Sequence, residues 1–175
     1  MFPEENIAKA REFALTAHRN QKYGDKPYSY HFDAVSMIVF RWGENAQILS
    51  FLHDTVEDTT LTLQEIENEF GPFISKCVDL LTDMPGVNRK ERKEKTNEKL
   101  SKVTCPYELA LVVKAADRLA NVSESVYAKK CGLWNMYKKE QEAFKKAVYR
   151  HGLCDNIWDG IEKFLSEEPE NIRKA

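Results

Sequence analysis

Apolar residues recur at helical spacing along most of this chain. The first stripe on one predicted helix face consists of Ile7, Ala10, Phe13, Ala14 and Ala17. The alternation of apolar and polar residues that marks a strand is scarce, and only seven glycines and six prolines interrupt the chain. The pattern therefore predicts an all-α fold of about eight to ten helices.

Helix-start and helix-stop residues set the expected boundaries. Pro3 opens the first helix, and acidic residues follow it in the first turn. Thr62 and Glu65 form a capping-box pattern, and the pair Gly71-Pro72 ends one helix and starts another. In chain order, the expected segments cover about 3–24, 31–43, 45–59, 62–70, 72–82, 88–102, 106–131, 133–150 and 155–165.

The chain has 175 residues, which is enough for one domain with a sizeable core. Its hydrophobic fraction of 42% and aromatic fraction of 11% are those of a globular protein rather than a disordered one. No linker, internal repeat or low-complexity tract divides the sequence. We therefore expect one domain over 1–175, with its core at about 5–165 and a polar tail at 166–175.

The charge balance and the cysteines narrow the class of protein further. With 26 basic and 28 acidic residues the net charge is −2, so we expect no nucleic-acid partner. The four cysteines form no C-x-x-C pair and are interpreted as reduced thiols. The N-terminus lacks the apolar core of a signal peptide, and no run of about 18 apolar residues exists. We therefore expect a cytoplasmic protein without a membrane partner, and the pattern does not define its oligomeric state.

One short segment combines an apolar run with several titratable groups. His53, Asp54, Glu57 and Asp58 directly follow an apolar stretch that is expected to pack inward. On a continuous helix His53 and Glu57 would be i,i+4 neighbours, as would Asp54 and Asp58. Clustered acidic groups beside a core are costly unless a metal or other cations compensate them. The cluster favours a metal or catalytic site, and the structural alternative is a solvated helix end with a histidine–glutamate pair.

Two further residues extend this cluster. His31 lies where the second helix begins, and Asp117 lies inside an apolar stretch, on the same helix face as Lys114 and Asn121. The structural alternative for Asp117 is an ion pair with Arg118 or Lys114. Taken with His53 and Asp54, these residues make a set of two imidazoles and two carboxylates, which suits manganese, iron or zinc better than calcium.

Basic residues form two groups that a phosphate substrate would need. Arginine is the better bidentate phosphate ligand, and lysine supplies a point charge. The first group precedes His31 and the second follows the break at Pro85: Arg19, Lys22 and Lys26, then Arg89, Arg92 and Lys93. The structural alternative for the second group is an exposed helix with alternating charges.

Several motifs together resemble a known family. The residues His31, His53-Asp54 and Asp117 match the pattern of the HD-domain metal-dependent phosphohydrolases. The surrounding motifs resemble the hydrolase domain of RelA/SpoT-type enzymes over about residues 5–150. These motifs lie at residues 14–18 with Gln21, at 26–28 with His31, and at 52–59, 70–71, 81–83 and 114–121. In length the chain resembles the single-domain small alarmone hydrolases.

The resemblance implies a fold, a cofactor and a reaction. It implies a helical HD-domain fold, one Mn²⁺ ion and hydrolysis of the 3′-pyrophosphate of guanosine tetra- or pentaphosphate, (p)ppGpp. The products would be GDP or GTP and pyrophosphate, formed by a metal-activated water. By position, His31, His53, Asp54 and Asp117 would be metal ligands, and Glu57 and Asp58 the catalytic pair. The implied substrate contacts are Arg19, Lys22, Arg89, Asn121 and Tyr137.

Two other functions stay open for the same site. Some single-domain relatives remove the 2′-phosphate of NADPH, which makes a phosphatase of NADPH or another nucleotide the first alternative. The second alternative is a non-catalytic sensor that binds a nucleotide. Loss of a metal ligand or of the pair Glu57 and Asp58 would mark such a sensor, and this chain keeps them all.

Overall fold

Helices form nearly all of the regular structure in this protein, as the apolar pattern predicts. The computed structural model of the chain describes residues 3–169. In chain order its α-helices are α1 (Pro3–His18), α2 (Ser29–Val39), α3 (Glu44–Leu52), α4 (Thr55–Asp58), α5 (Leu63–Leu81), α6 (Arg89–Ser101), α7 (Leu109–Tyr127), α8 (Cys131–Val148) and α9 (Asp155–Ser166). A short 3₁₀ helix, Phe40–Trp42, follows α2. The all-α prediction is confirmed, while Met1, Phe2 and most of the expected polar tail lie outside the described residues.

The first helix ends earlier than the pattern predicts. Helix α1 stops at His18, and Arg19 adopts a left-handed conformation with φ 42° that breaks the helical hydrogen bonding. A small antiparallel ribbon follows, in which β1 (Lys22–Tyr23) pairs with β2 (Lys26–Pro27). The expected helix over 3–24 is therefore wrong at its C-terminal end, and the ribbon places tyrosine side chains beside α2.

The predicted central helix over 45–59 is divided at the histidine–aspartate pair. Helix α3 ends at Leu52 and the short helix α4 begins at Thr55. His53 Nδ1 contacts Ser50 O at 2.7 Å, and Thr55 Oγ1 donates to Leu52 O at 2.7 Å. These side-chain hydrogen bonds compete with the helical backbone pattern. His53 and Asp54 consequently occupy a turn between two helices rather than one continuous face.

The capping and glycine signals around α5 are confirmed. Thr62 Oγ1 accepts from the Glu65 backbone N–H while the Glu65 carboxylate accepts from the Thr62 N–H, which completes the capping box. Inside α5, Gly71 has φ 85°, which glycine adopts without the steric cost that a side chain brings. The helix therefore kinks at Gly71, where the sequence predicts one helix to end and another to start.

Helix α7 is the centre of the packing. It contacts α2, α3, α5, α8 and α9, and nearly all of its first eight residues are buried. The core around it contains the fully buried side chains of Leu49, Leu52, Leu111 and Ile161. Burial of α7 places Asp117, in its middle, next to the ends of α2 and α3.

Among the described residues, no helix is long and apolar enough to cross a membrane.

Candidate metal centre and active site

Four side chains from three separate segments converge on one point. His31 Nε2 lies 3.2 Å from His53 Nε2 and 3.2 Å from Asp117 Oδ1. His53 Nε2 lies 3.0 Å from Asp54 Oδ2 and 3.8 Å from Asp117 Oδ1. Both imidazoles are buried, and the two carboxylates are mostly buried. The structure thus brings together the four residues that the sequence pattern groups as metal ligands.

The donor set fits a divalent metal ion. His31, His53 and Asp54 offer ligand atoms that all lie within 4.8 Å of one another, and Asp117 Oδ1 borders the same point. Contact with Ser50 O fixes the His53 ring through Nδ1, so Nε2 faces the carboxylates. Two imidazole nitrogens with carboxylate oxygens suit a divalent transition metal. This group could therefore hold a metal ion.

The ionised groups at this centre favour the binding of a cation. Burial lowers the pKa of His53, but the adjacent Asp54 carboxylate outweighs burial and the pKa rises to about 9. Burial raises the pKa of Asp117, but the hydrogen bond with His31 and nearby positive charge outweigh it, and the pKa falls to about 2. The carboxylates thus stay ionised and stabilise positive charge between them, as a site for a divalent ion would require.

Tyr28 links the metal-ligand group to the expected catalytic pair. Its hydroxyl donates to Asp54 Oδ2 at 2.6 Å and lies 3.1 Å from Asp58 Oδ2. Burial and the adjacent carboxylates raise the pKa of Tyr28, so the phenol stays protonated as a donor. His18 stacks on this ring at 4.1 Å between centroids. Sequence reasoning missed this role, although Tyr28 belongs to the motif that precedes His31.

Glu57 and Asp58 border the metal-ligand group from α4. Glu57 Oε2 accepts from the Asp83 backbone N–H at 2.9 Å, and burial raises the pKa of Glu57. Burial and the Asp54 charge raise the pKa of Asp58. Both carboxyl groups therefore exchange a proton more easily near neutral pH than an exposed carboxylate does.

A polar cavity of about 270 Å³ opens from this centre. It is lined by Asp54, Glu57, Asp58, Arg89, Lys93, Lys114, Asp117, Arg118, Asn121, Tyr137 and Phe144. Three of the five expected substrate contacts, Arg89, Asn121 and Tyr137, line it. The cavity thus combines the acidic centre with a wall of cations.

The other two expected substrate contacts lie elsewhere. Arg19 is exposed and lines a separate groove with Asp58 and Thr60, and Lys22 is exposed on β1. Neither is among the residues that line the cavity at the metal-ligand group. Their contact with a substrate stays a prediction, because a substrate that occupied only this cavity would not reach residues outside its lining.

The alternative ion pairs for Asp117 are absent from the part of the chain that the structure describes. Arg118 instead lies 3.4 Å from Glu140 Oε2, and Lys114 Nζ donates to Leu81 O at 3.0 Å. Asp117 contacts His31 and accepts from Asn121 Nδ2. The structural alternative for Asp117 is therefore wrong.

Glu140 holds two of the cations that border the cavity. Arg89 pairs with it through two nitrogens, at 2.7 and 3.1 Å, and Arg118 Nη2 reaches the same carboxylate. The Arg118 guanidinium also lies over the rings of Tyr137 and Phe144, at 4.9 and 4.3 Å. Glu140 gave no signal in the sequence, since it is 51 positions from Arg89.

The charge-dense helix α6 fits both earlier interpretations. Its outer face carries i,i+4 pairs such as Lys95 with Glu91 and Lys102 with Glu98, as in an exposed helix. Its inner face brings Arg89 and Lys93 to the cavity. The helix therefore serves the site with one face and solvent with the other.

Comparison with known proteins assigns the chain to a family. The HD domain family matches residues 10–146. A GTP pyrophosphokinase rsh of Brucella melitensis is 36% identical over 95% of this chain and 25% of its own length. A guanosine-3′,5′-bis(diphosphate) 3′-pyrophosphohydrolase of Danio rerio is 34% identical over 64% of each chain. The chain thus spans about a quarter of the length of the Brucella relative.

A solved structure shares the fold. It is described as a metazoan ortholog of SpoT that hydrolyzes ppGpp, and it matches with a TM-score of 0.75 over 95% of this chain and 97% of that chain. Sequence identity is 22%, so this likeness shows the fold alone. Because the family match covers most of the chain and includes the histidine–aspartate pair and Asp117, the chain belongs to the HD domain family.

Proposed function

We propose that this chain is a metal-dependent phosphohydrolase that removes the 3′-pyrophosphate of (p)ppGpp. The convergence of His31, His53, Asp54 and Asp117 beside a cavity lined by cations is the observation that carries the proposal. Relatives named as guanosine-3′,5′-bis(diphosphate) 3′-pyrophosphohydrolases support the choice of substrate. We take about 5–165 as the single domain that performs the reaction.

The metal ligands would be the two imidazoles and two carboxylates of the converging group. Mn²⁺ is the ion we propose, since mixed imidazole and carboxylate ligands suit it. When bound, such an ion would polarise a phosphoryl oxygen and lower the pKa of a water molecule. The chain's own part is to hold four ligand atoms in place, with the Ser50 carbonyl fixing the orientation of His53.

Glu57 and Asp58 would move the protons. Burial raises the pKa of each group, which brings it closer to the pH at which it must both accept and release a proton. The Asp83 backbone N–H donates to Glu57 Oε2 at 2.9 Å, and the Tyr28 hydroxyl, whose proton goes to Asp54 at 2.6 Å, lies 3.1 Å from Asp58 Oδ2. Glu57 is thus oriented by a backbone donor and keeps its other oxygen for the reacting groups, while Asp58 lies beside the phenol that orients Asp54.

The cationic wall would bind the phosphates of the nucleotide. Arg89, Lys93 and Arg118 line the same cavity as the acidic centre. Arg118 Nη1 is buried without a hydrogen-bond partner among the described residues. A buried guanidinium nitrogen with a free N–H is a site for a phosphate oxygen. Asn121 and Tyr137 would contact the substrate at the same wall, and Arg19 and Lys22 would contact it from outside the cavity.

Product analysis tests this function against its alternatives. The purified protein with Mn²⁺ is incubated separately with ppGpp and with NADPH, and pyrophosphate and orthophosphate are measured. The proposal expects pyrophosphate and GDP from ppGpp. Orthophosphate from NADPH with no product from ppGpp would favour the phosphatase. Binding of ppGpp without any product would favour the sensor.

A further inference from the structure

Another groove lies beyond the segment 81–84 from the cavity at the metal-ligand group. It has a volume of about 520 Å³, larger than the 270 Å³ cavity at the metal-ligand group, and it shares no lining residue with that cavity. A volume of this size is within the range of small-molecule sites. It is lined by residues of α5, the loop between α5 and α6, α6 and the loop after α6: Lys76, Leu80, Met84, Lys95, Glu98, Lys99, Lys102, Val103, Thr104 and Tyr107.

Lysines outnumber acidic side chains among the residues that line this groove, in a protein whose net charge is −2. Four lysines and one glutamate line it. Three of the lysines have carboxylate partners, whereas Lys99 Nζ contacts only the carbonyls Asp79 O, at 2.8 Å, and Thr82 O, at 2.6 Å, among the described residues. Burial lowers the pKa of Lys99, which an incoming anion would oppose. Among the described residues, Lys99 therefore has no ion-pair partner, although Asp79 and Asp83 are near enough to raise its pKa.

The floor of the groove is apolar and partly aromatic. Leu80 and Val103 are buried, and Met84 lies beside them. The Tyr107 ring stacks on Phe73 with centroids 5.7 Å apart, which fixes its orientation. A flat apolar group could pack on this floor while its anionic end reaches the lysines. This combination suits an aromatic molecule that carries phosphate.

The wall between the two cavities is the segment 81–84. On the groove side, Lys99 Nζ donates to Thr82 O. On the active-site side, the Asp83 N–H donates to Glu57 Oε2 at 2.9 Å, and Lys93 Nζ contacts Asp83 Oδ2 at 2.6 Å. A ligand that draws the Lys99 ammonium away from Thr82 therefore acts on the residue next to the one that holds Glu57.

We propose that this groove binds a nucleoside diphosphate and that its occupancy is transmitted to Glu57 through Lys99 and the segment 81–84. The base lies on the apolar floor and the diphosphate lies among the lysines. A diphosphate carries about three negative charges near neutral pH, so it could pair with Lys99 and compete with Asp79, Glu91 and Glu98 for the other three lysines. The regulatory half of the proposal rests on the function proposed above for Glu57, whereas the binding half does not.

Calorimetry with ADP tests binding, because the proposed reaction neither consumes nor forms ADP. A chelator keeps divalent metal away from the active site during the titration. The double variant Lys76→Gln/Lys102→Gln removes two exposed charges of the groove and should weaken ADP binding by about tenfold. The matched control Lys9→Gln/Lys145→Gln also removes two exposed, ion-paired lysines, which lie outside the groove, and should change the affinity less than about twofold.

The transmission is measured without any turnover. In the ¹H–¹⁵N spectrum of the wild-type protein, saturating ADP should shift the Asp83 amide resonance, and the groove variant should lose that shift at the same ADP concentration. No binding of ADP to the wild type, or equal affinity of the groove variant and the wild type, would overturn the binding site. Binding that depends on the groove lysines but leaves the Asp83 amide unmoved would overturn the transmission. Neither result depends on whether the protein hydrolyses ppGpp.

Discussion

The Tyr28 hydroxyl donates a hydrogen bond to Asp54 Oδ2 at 2.6 Å. The same oxygen of Asp54 lies 3.0 Å from His53 Nε2, so the phenol contacts an oxygen that is placed to bind the metal. Mutation of a group that orients a metal ligand typically costs about 10- to 100-fold in metal affinity or activity. The relationship makes Tyr28 a positioning residue of the proposed site.

Replacing Tyr28 with Phe removes this donor and keeps the ring. We expect Tyr28→Phe to lower both Mn²⁺ affinity and kcat on ppGpp by about tenfold, since the Asp54 carboxylate loses its orienting hydrogen bond. Calorimetric titration with Mn²⁺ and initial rates measure the two effects. Tyr30→Phe is the control, because the exposed Tyr30 hydroxyl contacts Glu124 instead. Equal behaviour of the two variants would contradict the role of Tyr28.

Substitutions at Asp54 and Glu57 should have different effects, the first on metal binding and the second on proton transfer. We expect Asp54→Asn to abolish Mn²⁺ binding and turnover, because one anionic ligand is lost. Glu57→Gln should keep the metal and lower kcat by about 100-fold, the contribution of a general acid or base. Metal content after dialysis and initial rates give the two readouts.

Chelation and circular dichroism complete that comparison. Turnover by the wild type should stop in excess chelator and return when Mn²⁺ is added. The far-ultraviolet spectrum of each variant should match that of the wild type, since both side chains border the cavity rather than the apolar core. Turnover that survives chelation would reject the metal site, and loss of metal in Glu57→Gln would make Glu57 a ligand.

Glu140 should contribute to stability in a pH-dependent way. Removal of its charge leaves the mostly buried Arg118 without its carboxylate, so we expect Glu140→Gln to lower the free energy of unfolding by about 2 kcal/mol at pH 7. Burial raises the pKa of Glu140, but the Arg89 hydrogen bond and the nearby cations outweigh it, and the pKa falls. A lowered pKa in the folded state stabilises the protein above the unfolded-state pKa, and this contribution is lost as pH falls through the folded-state pKa.

Urea denaturation at several pH values measures this dependence. The difference between wild type and Glu140→Gln should be full at pH 7 and shrink progressively below about pH 4.5. Glu162→Gln is the control, because that half-exposed carboxylate pairs with Lys145 and should contribute less than about 1 kcal/mol. A difference for Glu140 that is constant from pH 7 to pH 3 would refute the electrostatic origin.

Gly71 and Gly132 should respond in opposite directions to alanine. Gly71 has φ 85°, which strains any side chain, so Gly71→Ala should lower the free energy of unfolding by about 1 kcal/mol. Gly132 lies in the first turn of α8, where an added Cβ meets open space. Gly132→Ala should therefore leave stability unchanged or raise it by up to about 1 kcal/mol. Thermal unfolding compares them, and an equal loss in both would show that φ does not decide the effect.

Local signals predicted most of the helices and the convergence of His31, His53, Asp54 and Asp117. The capping box at Thr62, the break at Gly71 and the acidic first turn after Pro3 each act within a few residues, so the sequence shows them directly. His31, His53, Asp54 and Asp117 could be grouped because a protein core tolerates buried polar and charged side chains only when they have partners. The family resemblance added the expectation that these four residues are metal ligands.

Features that depend on long-range contacts could not be predicted. Tyr28 is 26 positions from Asp54 and Glu140 is 51 positions from Arg89, so neither pair leaves a local pattern. The division of the predicted central helix arises from hydrogen bonds of His53 and Thr55 side chains to carbonyls, which helical periodicity does not register. For Arg19 and Lys22, sequence identified the charge but not the face on which it lies.

Helix α7 carries a proposed ligand, Asp117, together with Lys114, Arg118 and Asn121, all of which line the same cavity. Each added residue rotates an α-helix by about 100°, so a single insertion before Asp117 would turn its carboxylate away from both imidazoles. The same insertion would swing Arg118 and Asn121 off the cavity wall together. Single-residue insertions are therefore tolerated in the loops around α7. An insertion within this helix, before Lys114, would displace all four site residues together.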